Sequence, residues 1–112
     1  MSSAIERPYE HIVRAAWSRH HELAFARGEL ILRVVRAGAR HGSVPGRSLD
    51  QAAEAAHQLA GALAMYGFPA CAELARRLQD ALDRVPRDAA AWRALRPDAT
   101  RLRDELAATT QA

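Results

Sequence analysis

The chain has 112 residues, 49% of them hydrophobic but only 5% aromatic, so Ala and Leu must fill one modest core, which favours closely packed helices over a sheet. The net charge of +3 comes from sixteen arginines scattered among thirteen acids, without basic clusters or aromatic platforms, which argues against a nucleic-acid partner. The apolar runs are far too short to span a membrane, and the lone cysteine fits a reducing compartment. We therefore expect one cytoplasmic domain over residues 1–112, without a membrane partner.

The first predicted helix covers residues 5–40. Two parallel apolar stripes run along it, formed by Ile12, Ala16, Leu23, Leu30 and Val34, and by Val13, Trp17, Ala24, Ile31 and Val35. Such a broad apolar face is typical of a helix that faces the inside of a bundle. Ser18 could cap a second helix within this segment and Gly28 could bend it, so the pattern leaves open a short extra N-terminal helix.

The second predicted helix covers residues 48–66 and follows a glycine- and proline-containing loop. Ser48 and Gln51 have the spacing of a capping box at its start. Gly67 is expected to end the helix in the left-handed conformation. Its core stripe is predicted to comprise Ala52, Ala55, Leu59, Ala62, Leu63 and Tyr66.

Two more helices are predicted after Gly67. Pro69 fits the first turn of a helix that ends before Pro86. The last helix covers residues 88–109, and Pro97 should kink it or split it near Asp98. Short loops make consecutive helices antiparallel neighbours, so we expect an all-α, antiparallel up-down four-helix bundle.

His57 is the most unusual residue of the second helix because it points away from the core stripe. Most residues around it are small, namely Ala53, Ala60, Gly61 and Ala64. A glycine in a helix interior lowers helix stability by about 1 kcal/mol relative to alanine. Asp50 and Glu54 lie on the same face, but a solvent face with so few long polar side chains, beside one exposed imidazole, indicates a surface on which another macromolecule docks.

The residues around His57 also carry a family resemblance. Residues 56–82 read AHQLAGALAMYGFPACAELARRLQDAL, and this run resembles the histidine-containing phosphotransfer (HPt) domain family. The family pattern has a His, a hydrophobic residue two positions later, Lys at three, Gly at four and Gly at ten. The corresponding residues here are His57, Leu59, Ala60, Gly61 and Gly67. Ala60 departs from the pattern, because it replaces the usual Lys.

The resemblance implies a phosphorelay carrier. His57 would accept a phosphoryl group from the phosphoaspartate of a receiver domain and pass it to another receiver, with a phosphohistidine intermediate. Expected partners are response-regulator receiver domains or a hybrid histidine kinase, and the mild positive charge suits an acidic receiver pocket. No cofactor is expected, because the sequence lacks a P-loop and a kinase glycine loop. We expect a monomer.

Two further residues have implied roles. Gln79 corresponds to a family position whose side chain hydrogen-bonds the second imidazole nitrogen and selects its tautomer. Arg76, one turn earlier, could supply the cation that Ala60 lacks, or it could be an ordinary solvated arginine. The missing Lys also supports an alternative function, an inactive HPt-like module that docks on a receiver or kinase and regulates it. No metal site is expected, because the adjacent His20 and His21 diverge by about 100° on a helix.

Overall fold

Five helices form in the computed structural model, which describes residues 8–109. They are α1 (Pro8–His41), α2 (Gly46–Met65), α3 (Pro69–Asp83), α4 (Ala89–Ala94) and α5 (Arg96–Ala108). The short α4 and α5 succeed one another and together form the fourth side of a bundle. Helix α1 packs against α2, α4 and α5, while α3 packs against α2 and α5. The predicted all-α four-helix bundle is confirmed.

Helix α1 is continuous over Pro8–His41, so no separate helix ends near Ser18, while residues 5–7 of the predicted first helix lie outside the described residues. Gly28 does not bend it: a Cβ there would lie 2.7 Å from Leu106 Cδ1, so the glycine allows close packing on α5. The two apolar stripes also differ. In the stripe with Trp17 and Ile31 most residues are buried, whereas in the other stripe Ile12 and Leu23 are exposed and Val34 is buried.

Helix α2 begins two residues earlier than predicted, at Gly46, and the capping box is absent. Pro45 is the N-cap residue, and its carbonyl oxygen accepts a hydrogen bond from Leu49 N at 3.1 Å. The helical hydrogen bonds thus begin before Ser48, which lies inside the first turn and is not the N-cap residue. At the other end the predicted left-handed glycine is confirmed: Gly67 has φ 89°, and Phe68 N donates to Leu63 O at 2.8 Å. This is a Schellman motif, which returns the chain antiparallel into α3.

The predicted last helix is split, but at Leu95 rather than near Asp98. Pro97 occupies the first turn of α5, where its missing N–H needs no acceptor, so the break precedes it. Asp88 caps α4 by accepting a hydrogen bond from Ala91 N at 2.9 Å. No helix of the described part is long and apolar enough to cross a membrane.

The core closes around a tryptophan near each end. Trp92 is 1% exposed and lies directly over Gly38 of α1, where an added Cβ would come within 2.1 Å of its ring. At the opposite end the Trp17 ring lies 5.3 Å from that of Tyr66 and 5.0 Å from that of Phe68. These contacts hold α1 against the turn that joins α2 to α3, and therefore fix the helix pair on which His57 lies.

Candidate functional site

His57 lies in the middle of α2 with its imidazole exposed to solvent. The opposite side of the helix is buried through Ala52, Ala55, Leu59 and Leu63, as the core stripe predicted. Ala62 and Tyr66, also assigned to that stripe, are only half-buried. The amphipathic pattern of α2 therefore directs the imidazole outward.

Gln79 of α3 contacts His57: its side-chain nitrogen lies 3.1 Å from His57 Nδ1. The two residues come together because α2 and α3 are antiparallel about the turn at Gly67. In this orientation the amide N–H donates to an unprotonated Nδ1. Rotating the amide by about 180° hardly changes its shape and places Oε1 at this position instead, where it accepts a hydrogen bond from a protonated Nδ1. The second arrangement leaves the lone pair on Nε2, the nitrogen that faces away from Gln79.

Gly61, one helical turn after His57, leaves the adjoining surface open. Among the described residues, nothing lies within 4 Å of the position that a Cβ would occupy. Ala64 beyond it is exposed, and so is Met65, with 68% of its area accessible. Met65 was not among the residues predicted for this surface, although a spacing of four residues from His57 to Gly61 to Met65 places all three on one face. The imidazole is thus flanked by a surface of mostly small, partly apolar side chains.

Ala60 is not part of this exposed surface, which corrects the sequence-based assignment. It is 6% exposed, and Ala53 is half-buried. On α3, which packs against α2, Ala72 and Ala75 are also buried. Small side chains on both helices allow them to approach closely. The exposed docking candidates are therefore Gly61 and Ala64.

Arg76 lies one turn before Gln79 on α3. Since the helices are antiparallel, this places it near the level of Gly61. Its Nη1 donates to Glu73 Oε1 at 2.8 Å, in an ion pair whose members are about half exposed. Exposed ion pairs of this kind contribute about 0–1 kcal/mol, so the guanidinium can leave Glu73 at little cost. Arg77, next in sequence, instead joins α3 to α5 through Asp98 at 3.1 Å.

The positive charge of the chain does not lie on this helix pair. Helices α2 and α3 together hold three arginines and five carboxylates, whereas α1 holds six arginines and three glutamates. The suggestion that the net charge of +3 steers His57 toward an acidic partner is therefore not supported by its distribution. Local groups such as Arg76 must supply any attraction there.

The other titratable side chains singled out in the sequence lie elsewhere. His21 Nε2 is 2.8 Å from Leu106 O, to which it donates, and the His20 ring lies 5.6 Å from that of Tyr66. Burial, aided by Glu105, raises the pKa of Cys71 to about 12, so this residue is a neutral thiol. Within residues 8–109 no group of His, Cys, Asp and Glu could hold a metal ion.

His57 does not line either of two cavities of about 680 and 690 Å³. One lies along α4 and α5, and the other lies among Trp17, Tyr66 and Phe68 at the end of the bundle. An exposed imidazole outside such cavities is suited to reaction with a group that a macromolecule presents, because a small substrate is normally enclosed by its site.

Comparison with known proteins agrees with this geometry. Searches of curated proteins and of solved structures found no match. A family model described as the Hpt domain matches residues 22–112, which include α2, α3 and the contact between His57 and Gln79. The chain therefore belongs to the Hpt domain family, the phosphotransfer modules of phosphorelay signalling.

Proposed function

We propose that His57 is the phosphoacceptor through which this domain carries a phosphoryl group between receiver domains. The observation that carries the proposal is the exposed imidazole whose Nδ1 is paired with Gln79 at 3.1 Å. Gly61 supports it, because the adjoining surface is open to a partner. The domain acts as a carrier with a phosphohistidine intermediate rather than as an enzyme with its own substrate pocket.

The chemistry requires a neutral imidazole with its proton on Nδ1. The Nε2 lone pair attacks the phosphorus of a receiver phosphoaspartate, and the N–P bond forms while the P–O bond to the carboxylate breaks. The bonding electron pair leaves with the carboxylate, and the ring gains a positive charge. Gln79 Oε1 accepts the Nδ1 proton in a hydrogen bond and stabilises that charge. The reverse reaction delivers the phosphoryl group to a second receiver.

We also propose the partners, the cellular location and the oligomeric state of the domain. Hpt domains interact with receiver domains and histidine kinases, and here we propose transfer between two receivers, one of which could belong to a hybrid kinase. We place the domain in the cytoplasm as a monomer that forms one unit over residues 1–112. Gln79 serves as a positioning residue, and Gly61 and Ala64 form the surface over which the receiver approaches.

Phosphoryl labelling tests the assignment of His57. Incubation with a phosphorylated receiver should produce an acid-labile, alkali-stable label, as a P–N bond requires. His57→Gln should abolish the label while the helical circular dichroism and the melting temperature stay unchanged, because the side chain packs outside the core. His41→Gln is the matched control, since His41 is also an exposed helical histidine and should label normally. Equal labelling of the parent and His57→Gln would contradict the assignment.

Ala60 is the observation that favours the inactive docking module. The position that normally holds a cation is occupied by a buried methyl group. If cognate receivers bind the parent protein tightly but never label it, the regulatory docking function replaces the carrier function. If they label it, Ala60 does not prevent transfer.

A further inference from the structure

The distribution of charge around the bundle is uneven, and its positive side is α1. Six arginines and three glutamates lie on that helix. The last two turns of α1 contain Arg36 and Arg40 but no acidic residue. The last glutamate of the helix, Glu29, lies earlier and accepts a hydrogen bond from Arg103 of α5 at 3.3 Å. Hpt chemistry at His57 makes no use of this side of the molecule.

Three arginines form a row on the exposed side of α1. Arg33, Arg36 and Arg40 are spaced by three and four residues and so share one face over roughly 10 Å. All three are exposed, and none has an ion pair or side-chain hydrogen bond with another residue in the described range. We call these residues the arginine row. Like charges on adjacent turns repel one another, which destabilises the helix unless an anion lies across them.

The arginine row borders a shallow depression of about 250 Å³, which Glu29 and Leu32 complete. The opposite side of α1, including Ile31 and Val35, is buried in the core. The row therefore faces away from the bundle axis, while α3 packs on α2 and α5 across that axis. The row and His57 thus lie on different helices, α1 and α2.

We propose that the arginine row binds an acidic helical segment of a partner protein. Carboxylates spaced three and four residues apart on such a segment would meet the three guanidinium groups in register, and each guanidinium can pair with a carboxylate through two hydrogen bonds. The interaction would tether the domain to its partner while His57 stays accessible. The inference does not depend on the assignment of His57.

Charge and shape favour an acidic polypeptide over a lipid surface or a nucleic acid. A membrane-binding helix inserts an apolar face, and the exposed large hydrophobic residues of the described chain, namely Tyr9, Ile12, Leu23, Met65 and Val85, all lie outside the row. Nucleic-acid binding requires an element that enters a groove or aromatic stacking platforms, and a row of three arginines on a helix packed into a bundle offers neither.

Fluorescence anisotropy with a defined probe tests the proposal. The probe is a fluorescein-labelled, alanine-rich helical peptide with three Glu residues spaced like the arginine row, and its control has Gln at the same positions. The parent protein should bind the Glu peptide at least about tenfold more tightly than the Gln peptide. Raising the salt from about 0.05 M to about 0.3 M should weaken this binding severalfold.

Two triple variants distinguish binding by the arginine row from a general effect of the net charge. Arg33→Gln, Arg36→Gln and Arg40→Gln combined should reduce affinity for the Glu peptide by at least about tenfold. Arg84→Gln, Arg87→Gln and Arg96→Gln remove the same charge from exposed positions elsewhere and should reduce it by less than about twofold. Both variants should keep the helical circular dichroism and the melting temperature of the parent protein, which shows that they fold.

Three results would overturn the proposal. Equal loss of affinity in the two triple variants would show that only net charge matters. Equal affinity for the Glu and Gln peptides would show that the row does not recognise carboxylates. Tighter binding to phosphatidylglycerol vesicles or to a short DNA duplex than to the Glu peptide, lost in the row variant, would assign the surface to lipid or nucleic acid.

Discussion

Gly38 in α1 and Gly61 in α2 are both glycines in the interior of a helix, yet their surroundings are opposite. A Cβ on Gly38 would lie 2.1 Å from the ring of Trp92, whereas no described atom lies within 4 Å of a Cβ on Gly61. Glycine destabilises a helix interior by about 1 kcal/mol relative to alanine, so each position calls for a compensating reason. For Gly38 that reason lies inside the fold.

The two glycines therefore call for different explanations. Gly38 leaves the volume that the buried indole of Trp92 fills, so it contributes to stability. The space beside Gly61 is not filled by any described side chain, and the exposed His57 lies one helical turn before it. The receiver that we propose to dock beside His57 would supply a reason for Gly61 that the packing of the fold does not. Substitutions at and near the two glycines test this contrast.

Gly38→Ala should have the largest effect on stability. The methyl group forces the indole of Trp92 or α1 to move, and overpacking of this kind lowers the free energy of unfolding by about 1–3 kcal/mol, even after the gain in helix propensity. The melting temperature should fall by roughly 10 °C for a domain of this size. Thermal unfolding followed by circular dichroism measures it. A variant as stable as the parent would show that Trp92 repacks freely and that Gly38 is not required.

Gly61→Arg should leave stability nearly unchanged but impair transfer. The long side chain has room in the free protein and favours a helix over glycine. It crowds the approach to His57, so the rate of phosphoryl acceptance from a receiver should fall about thirtyfold, equivalent to about 2 kcal/mol. Rapid-quench labelling against receiver concentration measures the loss. Transfer at the parental rate would remove the steric explanation for the bare surface.

Arg76→Ala should slow phosphoryl acceptance about tenfold, which corresponds to about 1.4 kcal/mol of transition-state stabilisation. The expectation is that the guanidinium leaves Glu73 and neutralises the phosphoryl oxygens in place of the absent lysine. Arg76→Lys is the matched control and should retain most of the rate. If Arg76→Ala transfers as fast as Arg76→Lys, the arginine serves only its surface ion pair.

Gly61→Ala should have the smallest effect and the opposite sign to Gly38→Ala. A methyl group meets open space, so the free energy of unfolding should rise by up to about 1 kcal/mol. Phosphoryl acceptance should change by less than about twofold, because a methyl group hardly obstructs a receiver. Urea unfolding and the labelling assay, run together, measure both. Destabilisation here would mean that Gly61 has a structural role and that the contrast with Gly38 is false.

Several features of the site follow from short stretches of sequence. The apolar period of α2 predicts that His57 points to solvent, and the turn at Gly67 predicts an antiparallel α3 that carries Gln79 past it. These features are local, since each depends on the geometry of one helix or on a positive φ that glycine adopts readily. The missing capping box at Ser48 shows the limit, because the backbone started α2 at Gly46 without a side-chain cap.

The sequence by itself determined the helical class, the outward direction of His57 and the end of α2, because periodicity and backbone preference act over a few residues. The burial of Ala60, the space that Gly38 leaves for Trp92 and the position of the positive charge on α1 rather than beside His57 became visible only in the folded arrangement of the helices. Each of these depends on which helices become neighbours. Neighbours distant in the chain are chosen by packing of the whole core, which no single helix specifies.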